Sequence, residues 1–158
     1  MITTRPLFHS APILLAPGSV VMPGNWGRLL RDRADQHSHW NREMALEEWR
    51  ATHAPEKPSR LFACFACDCL PVAEFYVQHA VRTGSPRAVI YEVTKEDASA
   101  GEHRGDFNCV QPVAGLSMAE VARRYWSGAQ PFRIEAHEHL DCWEIVTPSP
   151  LRILRRVG

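Results

Sequence analysis

Four groups of residues in this chain have types and spacings that could do chemistry. Cys64-Phe65-Ala66-Cys67, with Cys69 two residues on, has the spacing of half a zinc site. A structural zinc needs four converging ligands, and Cys109 and Cys142 stand alone rather than as a second pair. If residues 60–67 form a strand, Cys64 and Cys67 point to opposite faces. The expectation is buried thiols beside Phe62 and Phe65, with no metal. His137-Glu138-His139 puts two histidines on one face of a strand, but no H-E-x-x-H and no acid or cysteine pair completes a site. Two solvent-facing histidines are expected there. His9 ends the short apolar run Leu7-Phe8. Glu144 is a lone acid within Cys142-Trp143-Glu144-Ile145-Val146, where a buried carboxylate costs several kcal/mol unless it is paired or functional. Arg152 and Arg133 are the candidate partners if its role is structural.

Other chemistries find less support. Trp40, Trp49, Tyr125 and Trp126 fall near helical spacing without an interleaved basic run, which favours core over a base-stacking platform. Ser10, Ser19 and Ser117 lack a G-x-S-x-G context, and neither G-x-G-x-x-G nor G-x-x-x-x-G-K-[ST] occurs. A dinucleotide would have to bind without either common phosphate cradle. With 18 Lys plus Arg against 18 Asp plus Glu, no global field draws the chain to nucleic acid or anionic lipid.

The elements that must position these residues follow from pattern and punctuation. At 158 residues, 45% apolar and 23% charged, the chain reads as one globular domain spanning 1–158. Short strands are expected at Leu7–His9 and Ser19–Met22, around the Pro17-Gly18 turn, with Pro23–Gly27 a loop. A helix is expected over Gln36–Thr52, ended by Pro55 and Pro58. Arg60–Ala66 reads as a buried strand. Asp68 is a candidate N-cap for a helix over Leu70–Arg82, with Pro71 in its first turn and Gly84 as its stop. Ala88–Val93 is the clearest strand, and Ala98–Asp106 reads as a loop. Ser117-Met118-Ala119-Glu120 is a capping box opening a helix that Gly128 closes. His139–Val146 and Leu151–Val157 are the last strands. Without regular βαβ alternation the fold class is α+β. The first residues lack a signal-peptide pattern, no run approaches a membrane span, and five cysteines suit a reducing compartment. A cytoplasmic protein is expected, with a delivered effector as the alternative.

Three patches carry a resemblance. They are Phe8-His9-Ser10-Ala11 with Leu15-Ala16-Pro17-Gly18 and Pro23-Gly24; Leu61-Phe62-Ala63-Cys64-Phe65-Ala66-Cys67-Asp68 with the strand Ala88–Val93; and Glu144 ahead of Pro150–Leu154. In order and spacing the chain resembles the His-Tyr-Glu branch of ADP-ribosyltransferases, the diphtheria-toxin and poly-ADP-ribose polymerase type. Its opening looks closest to the rifamycin ADP-ribosyltransferases. The segment Tyr125-Trp126-Ser127-Gly128 is similar to one in uncharacterised bacterial and phage-associated domains. The resemblance touches most of the chain in outline, and specific identity lies in the three patches.

The resemblance implies a split β-sheet with flanking helices and NAD as substrate, cleaved at its nicotinamide–ribose bond. Glu144 would be the catalytic carboxylate. His9 would hold the adenosine-side ribose and orient the nicotinamide. Phe62 would stack on the nicotinamide ring, the Ser10 backbone would grip its carboxamide, and the loop with Asn25 and Trp26 would cover the pocket or choose the acceptor. The acceptor itself stays open among protein, nucleic acid and small molecule. Two departures, Phe62 where Tyr is usual and Ser10-Ala11 where Gly-Thr is usual, equally suit a non-catalytic ligand-binding or interaction domain on the same fold. An RNA-directed transferase is a third alternative. The transferase reading requires His9, Phe62 and Glu144 to meet in one cleft, with Glu144 facing open space and uncapped by arginine. Glu144 on the face away from His9 would favour the interaction domain.

Overall fold

The structure, a computed structural model, describes residues 5–110, 115–128 and 140–158. Its strands are β1 (Leu7–Ala11), β2 (Val20–Val21), β3 (Cys64–Ala66), β4 (Val89–Lys95), β5 (His103–Asp106), β6 (Trp143–Thr147) and β7 (Leu151–Arg156). The helices are α1 (Asn25–Arg33), α2 (Trp40–His53), α3 (Leu70–Arg82) and α4 (Met118–Ser127). All the pairings are antiparallel and form two sheets, ordered β1-β4-β7-β2 and β3-β6-β5. The fold is α+β, as the element order suggested. The two sheets touch where Phe8 and Cys67 exchange both backbone hydrogen bonds at 2.8 Å. That contact brings β1 and β3 together across the join.

Packing follows the two faces of each strand. Leu7 and Ala11 of β1 join Cys64, Ala66, Ile145, Leu151 and Ile153 in one buried cluster. A second holds Leu46 of α2 and Tyr125 and Trp126 of α4 against Val146. Trp126, only 1% exposed, also donates its indole N–H to the Leu46 carbonyl at 2.8 Å, which ties α4 to α2. The aromatics read as core are therefore core here. Cys67 packs with Val72, Val77 and Ile90 beneath α3, a different cluster from that of Cys64. Burial raises the pKa of both thiols, that of Cys64 to about 11.

Several local expectations are corrected. The Pro23–Gly27 stretch is a turn only to Gly24; α1 begins at Asn25, and Gly27 lets that helix lie against the Leu61 backbone, where a Cβ would overlap the carbonyl. Helix α2 starts at Trp40 rather than Gln36, because a 3-10 turn over Ala34–Gln36 comes first. Residues Arg60–Phe62 form a 3-10 turn, with the Ser59 hydroxyl accepting from the Leu61 N–H at 3.2 Å, so the strand is only Cys64–Ala66. Asp68 does not cap α3. Cys69 holds that position without a side-chain bond, while Asp68 pairs with Arg5 and Arg104, each at 3.0 Å. Part of the expected Ala98–Asp106 loop is strand β5: pairing with β6, far along the chain, overrides its polar composition. The capping box holds, as Ser117 accepts from the Glu120 N–H at 3.2 Å. His137-Glu138-His139, Arg133 and the start of the expected His139–Val146 strand lie outside the described residues. Among the described residues, no helix is long and apolar enough to cross a membrane.

Candidate functional site

Where the two sheets meet, the strands form the floor of a cavity of about 760 Å³. One wall is α3, which contributes Tyr76 and His79. The opposite wall is the segment from α1 to α2, which contributes Trp26, His37, His39 and Arg42. Phe8 and Ser10 of β1, Phe65 of β3 and Glu144 of β6 also line it. This volume lies in the range of pockets that enclose a nucleotide-sized ligand.

Glu144 is 4% exposed, and its carboxylate is fully engaged. Its Oε1 accepts from the Tyr125 hydroxyl at 2.5 Å and forms an ion pair with the Arg60 guanidinium. Its Oε2 accepts from the Tyr76 hydroxyl at 3.0 Å. Gly105 pairs with Glu144 across β5 and β6, and a side chain there would overlap the Tyr125 ring. The missing Cβ is what lets that ring reach the carboxylate.

Arg60 is the centre of the network. Its Nε and Nη2 donate to both Glu43 oxygens, at 2.9 and 3.1 Å, and its Nη1 donates to the Tyr125 hydroxyl at 2.7 Å. Arg42 pairs with Glu43 at 2.9 Å. The chain Arg42–Glu43–Arg60–Glu144 thus alternates two cations with two anions. Such neutral, multiply bonded chains are how a fold carries charges whose separate burial would cost several kcal/mol each. Burial alone would raise the Glu43 pKa, but Arg60 and Arg42 outweigh it and bring it down to about 2. Burial, reinforced by the Glu144 charge, raises both tyrosine hydroxyls well above their ordinary pKa, so each stays a proton donor.

The residues singled out from sequence divide. Glu144, Ser10 and Trp26 line one cavity. His9 does not. Strand alternation turns Phe8 and Ser10 toward the cavity and His9 the other way, where its Nδ1 lies 2.7 Å from the Phe65 carbonyl. Burial lowers the His9 pKa, against a smaller opposing effect of that bond. Phe62 is 58% exposed on the 3-10 turn, with the Arg31 guanidinium 5.4 Å from its ring centre. Asn25 also lies outside the lining, its side-chain oxygen accepting from Arg28 at 2.9 Å. The required meeting of His9, Phe62 and Glu144 in one cleft is therefore corrected, and so is the expectation of an uncapped Glu144. Its partner is Arg60, not Arg152, which pairs with Glu96 at 2.6 Å.

Four side chains of the site were missed or read only as core: Arg60, Glu43, Phe65 and Tyr76. Arg60 had a signal, a cation at the head of the aromatic run from Leu61 to Phe65, where an unpaired charge could not be buried. Glu43 had a weaker one, an acid three residues before Leu46 and so on the same side of the helix. Phe65 was missed by register, since the strand starts four residues later than expected. Tyr76 lay in a helix whose apolar spacing gave no reason to single it out.

Residues 21–140 match the family model described as a protein of unknown function (DUF2441), and the chain belongs to that family. No curated protein matches the chain.

Proposed function

We propose that this protein binds NAD in the cavity above Glu144 and cleaves its nicotinamide–ribose bond, passing ADP-ribose to an acceptor. One observation carries the reading: a buried carboxylate, with both oxygens oriented, forms the floor of an aromatic-lined cavity where two antiparallel sheets meet. That architecture supports the split sheet that the resemblance implies. Nicotinamide would leave with the electrons of the breaking C–N bond, and the ribose carbon would become an oxocarbenium-like centre, as in glycoside hydrolysis. Glu144 would accept a hydrogen bond from the ribose 2′-hydroxyl and stabilise that positive charge. The acceptor, or water in a glycohydrolase side reaction, would then add to the carbon and lose its proton. Phe65 and Tyr76, both in the lining, offer ring faces for the nicotinamide and replace Phe62 in that role. Ser10 and Trp26 remain candidate contacts. His9 acts on the site indirectly, by bracing the Phe65 backbone.

A second reading, a non-catalytic ligand-binding domain, is favoured by the Arg60 ion pair, which neutralises Glu144, and by the turning of His9 away from the cavity. Titration with NAD while following released nicotinamide separates the two. The transferase reading expects turnover, slowed on the order of 10²-fold by Glu144→Gln with the fold retained. NAD binding without release supports the second reading. No binding at millimolar NAD overturns the transferase reading.

A further inference from the structure

The wall facing α3 has a character of its own. The Trp26 and His37 rings meet edge-on with centres 5.3 Å apart, and His37 and His39 lie 5.7 Å apart. The His37 Nδ1 accepts the His39 backbone N–H at 3.1 Å, so the neutral His37 ring carries its proton on Nε2 and presents a donor there. Helix α2, 14 residues long, begins at this wall with His39 as its N-cap and no side-chain cap bond, and Arg42 sits in its first turn. The positive end of the helix dipole therefore points to the same place as the Arg42 guanidinium. The indole Nε1–H of Trp26 is shielded from solvent and has no acceptor among the described residues, which is costly for a donor unless a ligand supplies one. Glu144 is the one acid in the cavity lining, and Arg60 and two tyrosines already engage it. The field at His39 agrees: after burial, Arg42, His37 and Arg60 all lower its pKa, and Glu43 alone raises it.

We propose that Trp26, His37, His39 and Arg42 form a phosphate-binding corner, which takes the phosphate or diphosphate ester of a ligand occupying the cavity. It is contributed entirely by the α1–α2 segment that lies between the first two resemblance patches. The inference goes beyond bond cleavage and stands whether or not NAD is turned over. The corner could serve the diphosphate of the dinucleotide itself or a phosphate carried by the acceptor, and the same chemistry recognises both.

Inorganic pyrophosphate at low salt is the probe, and the indole N–H resonances of the ¹⁵N-labelled protein are the readout. The Trp26 signal, assigned by its loss in Trp26→Phe, should move downfield as its N–H gains an acceptor. Arg42→Gln should weaken binding roughly tenfold. Because Arg42 also pairs with Glu43, that variant could lose its fold; Trp26→Phe and His39→Gln leave the Arg42–Glu43 pair intact and should each weaken binding roughly threefold or more. A Trp26 signal unmoved by millimolar pyrophosphate, or Trp26→Phe and His39→Gln variants that bind as the wild type does, would overturn the proposal. ADP-ribose that displaces pyrophosphate assigns the corner to the dinucleotide, whereas binding of both together assigns it to the acceptor; both outcomes uphold it. Pyrophosphate binding without nicotinamide release would leave the corner standing and count against the transferase reading alone.

Discussion

The floor around Glu144 and the wall made by α1 and α2 face the same cavity but are satisfied to different degrees. At the floor, each carboxylate oxygen of Glu144 has a named donor, and Arg60 binds two acids and a tyrosine. At the wall, the indole N–H of Trp26 has no acceptor among the described residues and α2 opens without a side-chain cap. The difference separates stability from recognition. A satisfied buried network rigidifies the fold and makes each member costly to remove. A donor left without an acceptor adds nothing to the empty protein and gains value when a ligand arrives.

The sharpest way to break the comparison is Arg60→Met. It leaves Glu43 without its main buried cation and Glu144 without any, so a loss of about 3–5 kcal/mol is expected in urea unfolding. Adding Glu43→Gln and Glu144→Gln to that variant should recover much of the loss, because the uncompensated charges go with the cation. Failure to recover would mean that Arg60 acts through packing instead.

Acid should find the floor next. Glu43 is held at about 2 against an ordinary 4.5, and burial, followed by the Lys57 charge, lowers His103 to about 4 from 6.5. In both cases the unfolded chain binds a proton that the folded chain refuses, so stability rises with pH across each interval. The His103 contribution should be complete above pH 6.5 and fall away toward about 4, and that of Glu43 should fall away between 4.5 and about 2. Urea midpoints measured against pH, with Glu43→Gln removing only the lower interval, check both assignments. The smallest effect belongs to the wall. Trp26→Phe should change stability by at most about 1 kcal/mol, since it deletes a donor that makes no hydrogen bond to the described residues.

Helices with their signals inside their own span were legible in the chain. Helix α4 announces itself through Ser117 and Glu120, and α3 was placed at Leu70–Arg82 although its expected cap, Asp68, is occupied by two arginines. Strand β4 reads from its own apolar run, nearly as placed. Elements that depend on a distant partner were not legible. Strand β5 is polar and exists because β6 pairs with it, and the Arg60–Phe62 turn interrupts what composition makes look like one strand. That interruption moved the candidate stacking residue from Phe62 to Phe65.

The sequence by itself marked Glu144 as a residue needing explanation, because an acid in an apolar strand must be paired or used. It also determined the α+β class, through the order of its local periodicities. Only the tertiary structure decided who answers Glu144: Arg60 lies 84 residues away, Tyr76 68 away and Tyr125 19 away. No local rule links such positions. Burial leaves a charge dependent on whatever donors the fold brings to it, and that choice is made by the packing of α2, α3 and α4 against the sheets.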